Sequence, residues 1–422
     1  MSELTAYDVF TPNEYPSYTY VERSTHDYEK KLIKYLRIGG TTVVVSGPSK
    51  SGKTILARRV VGDSNLVVVS ASGIRQESDL WDRILDKIRA PHQVTKAARS
   101  QTEIGMQGSV AGMLFGAVNT VARVSVAYQK KLEKESGEFY QRRGVAQVVD
   151  LLAGEEVVVL IDDFHFIDRK VQIEIAKAIK GASHEGVKFI LTVASHRSDD
   201  LERATNQLTG RVAGLDIEHW KHDELMEIAL AGFPLLNAAN DILVPHNLVS
   251  EAGGSPQLMQ LICLNAAIEM GFEDKSEEPK PLSIAEEDIA IIMQETTSLT
   301  QQKTVAEILL HGPKARGTER DVFNLRDGTS GDVYYCILKA LADGGGKLSY
   351  SYEELKAKIG NTVIGVAPQG ASITNALFQM ATRTTDSDTG EKVVDWDEEK
   401  RTFTIIDPYI LFYLKWSGFL DV

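Results

Sequence analysis

Residues 43–61 read VVVSGPSKSGKTILARRVV, and no other stretch narrows the fold as sharply. An unbroken β-branched run, TTVVVSG, predicts a strand buried on both faces, as in a parallel sheet covered by helices. The chain then enters a loop of small residues and presents a lysine where a helix begins. Gly47, Pro48, Ser49, Lys50, Ser51, Gly52, Lys53 and Thr54 fit the pattern G-x-x-x-x-G-K-[ST] without a mismatch. Gly47 and Gly52 are expected to supply backbone angles that turn main-chain amides inward around an anion. The helix starting near Lys53, with Ile55 in its first turn, adds the positive end of its dipole. Lys53 is expected to reach the β- and γ-phosphates of a nucleotide such as ATP, and the Thr54 hydroxyl to ligand Mg²⁺. A chance match in a glycine loop is the bland alternative; the flanking strand and helix argue against it.

A magnesium nucleotide site also needs a carboxylate. EEVVVLIDDFHFID (155–168) offers five apolar residues, Val157 to Ile161, followed by Asp162 and Asp163. Acids at the carboxyl end of a buried strand face the crevice where open α/β sheets bind ligands. Asp162 is therefore the expected metal-side acid, and Asp163 the expected general base. Taken without the phosphate loop, the same pair would read as a turn or a helix cap. A third buried strand, VKFILTVASHR (187–197), ends on Ser195 and Arg197, polar groups placed to sense a γ-phosphate. Strand and helix patterns alternate from 42 to 218. The predicted fold class is α/β: a three-layer P-loop core with a parallel sheet, then a helical lid and a winged-helix-like C-terminal domain.

These motifs resemble the AAA+ and STAND (signal-transduction) branch of P-loop ATPases, closest to bacterial proteins of the origin-recognition type. The resemblance spans about residues 10–300 and is carried by GPSKSGKT and VVVLIDDFH. It implies that Arg23, in TYVER, lies beside the adenine and that Ser195 is the first sensor. It implies that Arg211 is an arginine finger reaching a neighbouring subunit's nucleotide, hence ATP-dependent homo-oligomers. HWKHDELMEIALAGFPLLN and VSEAGGSPQLMQLICLNAAIEM look like the family's helical lid. Where many relatives carry a sensor arginine, this chain has Gly254-Ser255-Pro256, similar to the GxP signature of STAND proteins. Pro256 would then touch the nucleotide by shape; it equally suits the first position of a helix. Asp163 stands where vigorous relatives carry Glu, so slow hydrolysis and a switch-like role are expected, in signalling or defence by the same resemblance.

The expected domains are 1–40 (adenine-side segment), 41–218 (ATPase core, with an insertion at 90–138), 219–312 (lid) and 313–422 (winged-helix-like). GFEDKSEEPKPLS (271–283) reads as an acidic linker. A formal charge of −13 over 422 residues excludes a protein that coats nucleic acid nonspecifically. From Thr318 to Val422 there are 16 acids against 11 bases, and the expected recognition helix, ASITNALFQMATRT, has one basic residue, Arg383. A protein-contacting module is favoured over a DNA reader on that charge; the rival reading is a DNA-bound AAA+ loader or targeting factor. Only two cysteines occur, Cys263 and Cys336, read as reduced and buried in a cytoplasmic chain. Residues 108–128 space Gly108, Gly112 and Gly116 like packed membrane helices, but Asn119 and Arg123 interrupt a run shorter than the ~20 apolar residues of a span.

Overall fold

The computed structural model describes residues 4–23, 25–90, 93–94, 120–124, 140–141, 143–194, 211–240, 246, 248–313, 320–344, 346–385 and 392–421. They form two compact units, one of Met1–Glu22, Ser49–Ser51 and His219–Val422, the other of Arg23–Pro48 and Gly52–Glu218. The first unit opens with α1 (Ala6–Val9), capped by a reciprocal pair in which Thr5 Oγ1 accepts from Asp8 N and Asp8 Oδ2 accepts from Thr5 N.

The second unit runs α2 (Tyr28–Leu36), β1 (Thr42–Gly47), α3 (Lys53–Val61), β2 (Leu66–Ser70), α4 (Glu77–Lys87), β3 (Gln93–Val94), β4 (Tyr140–Gln141), α5 (Val145–Leu152), β5 (Val158–Asp162), α6 (Arg169–His184), β6 (Lys188–Ala194) and β7 (Val212–Asp216). Five strands pair in the order β2-β5-β6-β1-β7, every pairing parallel. Successive side chains on a strand point to opposite faces, so each continuous apolar run feeds two cores. Val44, Val67, Val159, Ile161 and Leu191 pack on one face with residues of α4, α5 and α6. Val43, Val45, Val158, Leu160 and Ile190 pack on the other with α2 and α3. That two-sided burial is why the strands lack an alternating polar face. The expected insertion is bracketed by the antiparallel β3–β4 pair, Gln93↔Gln141 and Val94↔Tyr140. Within it, residues 120–124 are helical and Val124 joins the sheet's core. The rest of the stretch once weighed as a membrane span lies outside the described residues. Among the described residues, no helix is long and apolar enough to cross a membrane.

The first unit continues with α7 (His222–Gly232), β8 (Ala238–Asn240), α8 (Pro256–Glu269), β9 (Lys280–Leu282), α9 (Glu286–Ser298) and α10 (Lys303–His311). Then follow β10 (Phe323–Asn324), β11 (Ser330–Gly331), α11 (Val333–Ala342), β12 (Ser349–Ser351), α12 (Tyr352–Thr362), α13 (Gly370–Arg383), β13 (Val394–Asp397), β14 (Thr402–Ile405) and α14 (Pro408–Trp416). β12 adds to the expected β13–β14 hairpin, giving a three-stranded sheet beside three helices, a winged-helix-like order. Three boundaries differ from those expected. The acidic segment 271–283 is packed: Phe272 and Leu282 are buried, and β9 pairs in parallel with β8. α10 contributes Ala306 and Leu309 to the C-terminal core rather than to the lid. α14 faces two cores at once, with Tyr409 and Phe412 in the lid's and Ile410, Leu411 and Leu414 in the C-terminal one. A helix apolar on both sides joins what the sequence divides at 312. Both cysteines are free and buried, and burial pushes the Cys336 thiol up to about 12.

The N-terminal segment also divides. Phe10, fully buried, packs edge-on to Phe233 at 5.1 Å between ring centroids. Gly232 makes room for it, since a Cβ there would fall 2.3 Å from Phe10 Cε1. Phe10→Ala is expected to lower the first unit's stability by about 3–5 kcal/mol, measured by chemical denaturation. A loss below about 1 kcal/mol would show that the pocket collapses around the deletion.

Candidate functional site

β1 ends at Gly47, and α3 starts at Lys53 with Gly52 as its N-cap. Gly52 adopts φ 92°, a left-handed conformation in which a side chain would be strained. Gly47 is not among the residues at positive φ; the loop's other left-handed position is Lys50, at φ 58°. The expected need for glycine freedom therefore holds at 52, while at 47 the backbone is still strand.

Lys53 is buried, and its Nζ donates to two carbonyls of its own loop, Gly47 O at 3.1 Å and Pro48 O at 2.6 Å. Burial pushes its ammonium below the usual lysine range, against the Asp163 and Asp162 carboxylates, which pull it back up. A triphosphate at this position would supply the counter-charge that burial leaves short. Ile55 follows in the first turn of α3. Residues 49–51 group with the first unit, where Lys50 Nζ pairs with Asp407 Oδ1 at 2.8 Å and Trp220 Nε1 donates to Ser51 O at 2.9 Å.

Thr54 and Asp162 meet. Thr54 Oγ1 donates to Asp162 Oδ2 at 2.8 Å, across 108 positions of sequence. The hydroxyl sits in the first turn of α3 and the carboxylate at the tip of β5, two strands from β1 in the sheet. The donors are hard oxygens, the set that Mg²⁺ takes when it also binds phosphate. Thr54 and Asp162 would hold the ion, which would draw charge from the β- and γ-phosphates. Asp163 adopts the left-handed φ of 56° and caps the short turn Phe164–Phe166. Its amide donates to Thr192 Oγ1 at 2.8 Å, and buried Gln172 Nε2 donates to Phe164 O at 3.1 Å, so both ends of that turn are held.

Sequence reasoning passed over Thr192. It lies on β6, fully buried, and its hydroxyl donates to Asp162 Oδ1 at 2.5 Å. The signal was present: a lone hydroxyl inside FILTVA must find a hydrogen-bond partner. Ser46 on β1, which donates to Asp216 on β7, was also missed.

The remaining expected residues divide. Arg23 is buried; its guanidinium donates to Glu218 O at 2.9 Å and lies 5.1 Å from the centroid of the Tyr28 ring. Ile217 N donates to Ser46 O, so this cluster stands at the carboxyl end of the sheet, as the phosphate loop does. Arg211 stands at the other end, where its carbonyl accepts from Thr42 N at 3.0 Å. Pro256 is the first residue of α8, behind a Ser255 cap that accepts from Leu258 N, so helix initiation accounts for it. Ser195 and Arg197 lie outside the described residues.

The family of ATPases associated with various cellular activities (AAA) matches residues 43–215. No curated protein matches the chain. A Walker-type ATPase of Pyrococcus abyssi shares its fold at TM-score 0.53, with 15% identity over 94% of this chain and 96% of that one. Cdc6p of Pyrobaculum aerophilum gives TM-score 0.43 at 10% identity over 98% and 99% of the two chains. ORC2 of Aeropyrum pernix gives 0.46 at 15% over 98% and 96%. With a complete phosphate loop, an acid bonded to its threonine and a parallel sheet holding both, residues 43–215 are a domain of the AAA family of ATPases.

Proposed function

We propose that the chain is an ATP- and Mg²⁺-binding switch that hydrolyses slowly and whose nucleotide state governs assembly with copies of itself. The observation that carries this reading is the 2.8 Å bond between Thr54 and Asp162 beside Lys53. The contacts of a bound γ-phosphate would favour one conformation, and a ligand shifts such an equilibrium only by its differential affinity. Slow hydrolysis follows from Asp163, one methylene shorter than Glu, because a general base is limited first by geometry. A turnover at or above the ~10 s⁻¹ typical of enzymes would contradict it.

Arg211 supports the assembling half of the proposal. β1 runs from Thr42, where the Arg211 carbonyl bonds, to Gly47, where the phosphate loop begins. At ~3.3 Å per residue that is roughly 16 Å of strand, which suits a finger offered to a neighbour's nucleotide. ATP, but not ADP, is expected to raise the solution mass. Arg211→Ala is expected to remove that rise while leaving ATP binding intact, read by light scattering and by nucleotide titration. A mass indifferent to ATP would reject the assembling role. The C-terminal module, acidic and with Arg383 as the one basic residue of α13, reads as a protein-contacting surface. The proposed setting is the cytoplasm, in signalling or defence. Binding to duplex DNA that weakens steeply with salt would instead support the loader reading.

A further inference from the structure

We propose that Thr192 is a positioning residue that sets the metal-facing oxygen of Asp162; the inference rests on the Mg²⁺–ATP reading of the same site. Thr192 is the one polar side chain between Phe189 and Ala194, and it is wholly buried. A valine would serve the packing of that strand equally well, so the hydroxyl calls for its own explanation.

Its bonds supply one. Thr192 Oγ1 donates its proton to Asp162 Oδ1 at 2.5 Å and accepts the Asp163 amide at 2.8 Å. The other carboxylate oxygen, Oδ2, accepts from Thr54 Oγ1 at 2.8 Å. The carboxylate is thus divided: one oxygen is held by the sheet and the other is turned toward the helix that begins at the phosphate loop. The terminal torsion of an aspartate is intrinsically broad, so an unheld carboxylate would sample many orientations. β5 and β6 are neighbours, with Ile161 opposite Leu191, so Thr192 comes from the strand best placed to reach Asp162. The same hydroxyl holds the amide of Asp163 in its left-handed turn, so one side chain orders both acids.

Partners that orient a metal ligand typically change metal affinity 10–100-fold when removed. The test uses the full chain and a fluorescent ATP analogue, titrated first in excess chelator and then with Mg²⁺. Thr192→Val is expected to raise the Mg²⁺ midpoint about 10–100-fold and leave metal-free affinity unchanged, with Thr192→Ser within about threefold of wild type. Thr192→Ala removes the hydroxyl without adding a methyl beside Asp162, and it must reproduce the shift even if the valine variant fails to fold. Hydroxyl-free variants that take Mg²⁺ as wild type does would overturn the proposal, as would a serine variant shifted as far as valine. If wild type itself shows no Mg²⁺-dependent binding, the nucleotide reading falls with it. If wild type does and the variants match it, only the role of Thr192 falls.

Discussion

Replacing Lys53 by alanine is expected to weaken ATP binding by about 100-fold or more. A charged hydrogen bond contributes roughly 1.5–3 kcal/mol, and each 1.4 kcal/mol is about tenfold in affinity; Lys53 is placed to make such bonds to two phosphates. In the nucleotide-free chain its ammonium already satisfies itself on Gly47 O and Pro48 O, and part of its binding energy is spent on leaving them. The loss is therefore expected near 100-fold rather than far beyond it. Buried lysine without a phosphate is also an unfavourable arrangement, since burial lowers its proton affinity. The alanine variant should fold at least as well as wild type by thermal denaturation. A variant that is both unfolded and inactive would mean that Lys53 holds the loop's shape rather than the phosphates.

Replacing Asp162 by asparagine is expected to separate binding from turnover. The amide keeps the size of the carboxylate and can still meet Thr54 and Thr192, but it has no charge for the ion. Hydrolysis should fall about 10²–10³-fold, as when one preorganised electrostatic group is lost, while affinity for ATP in chelator is preserved. The Asp162 and Asp163 carboxylates both raise the proton affinity of Lys53, so losing one charge lets burial lower it further. ATP binding by the variant should accordingly weaken at a lower pH than in wild type. Unchanged turnover would remove Asp162 from the metal site.

The phosphate loop was legible because its chemistry is local: eight consecutive residues between a strand and a helix carry the whole signal. Asp162 was legible for a related reason, since a strand tip in a parallel sheet always faces the ligand side. Thr192 was hidden because its meaning lies in a cross-strand neighbour, and 29 positions separate it from the Asp163 amide it holds. The same limit applies to the packing of the first unit. Phe10 belongs with Phe233, and α14 shares its faces between two cores, pairings that no window of sequence displays. Pro256 illustrates the converse, a motif whose residues are fully accounted for by starting a helix.

The most direct test of the central claim is a calorimetric titration of the purified full chain with ATP, in Mg²⁺ and in chelator, for wild type and for Asp162→Asn. The account predicts one saturable site per chain, strengthened by Mg²⁺ in wild type and indifferent to Mg²⁺ in the variant. Wild-type protein that takes up no ATP, or an Asp162→Asn variant that responds to Mg²⁺ as wild type does, would contradict it.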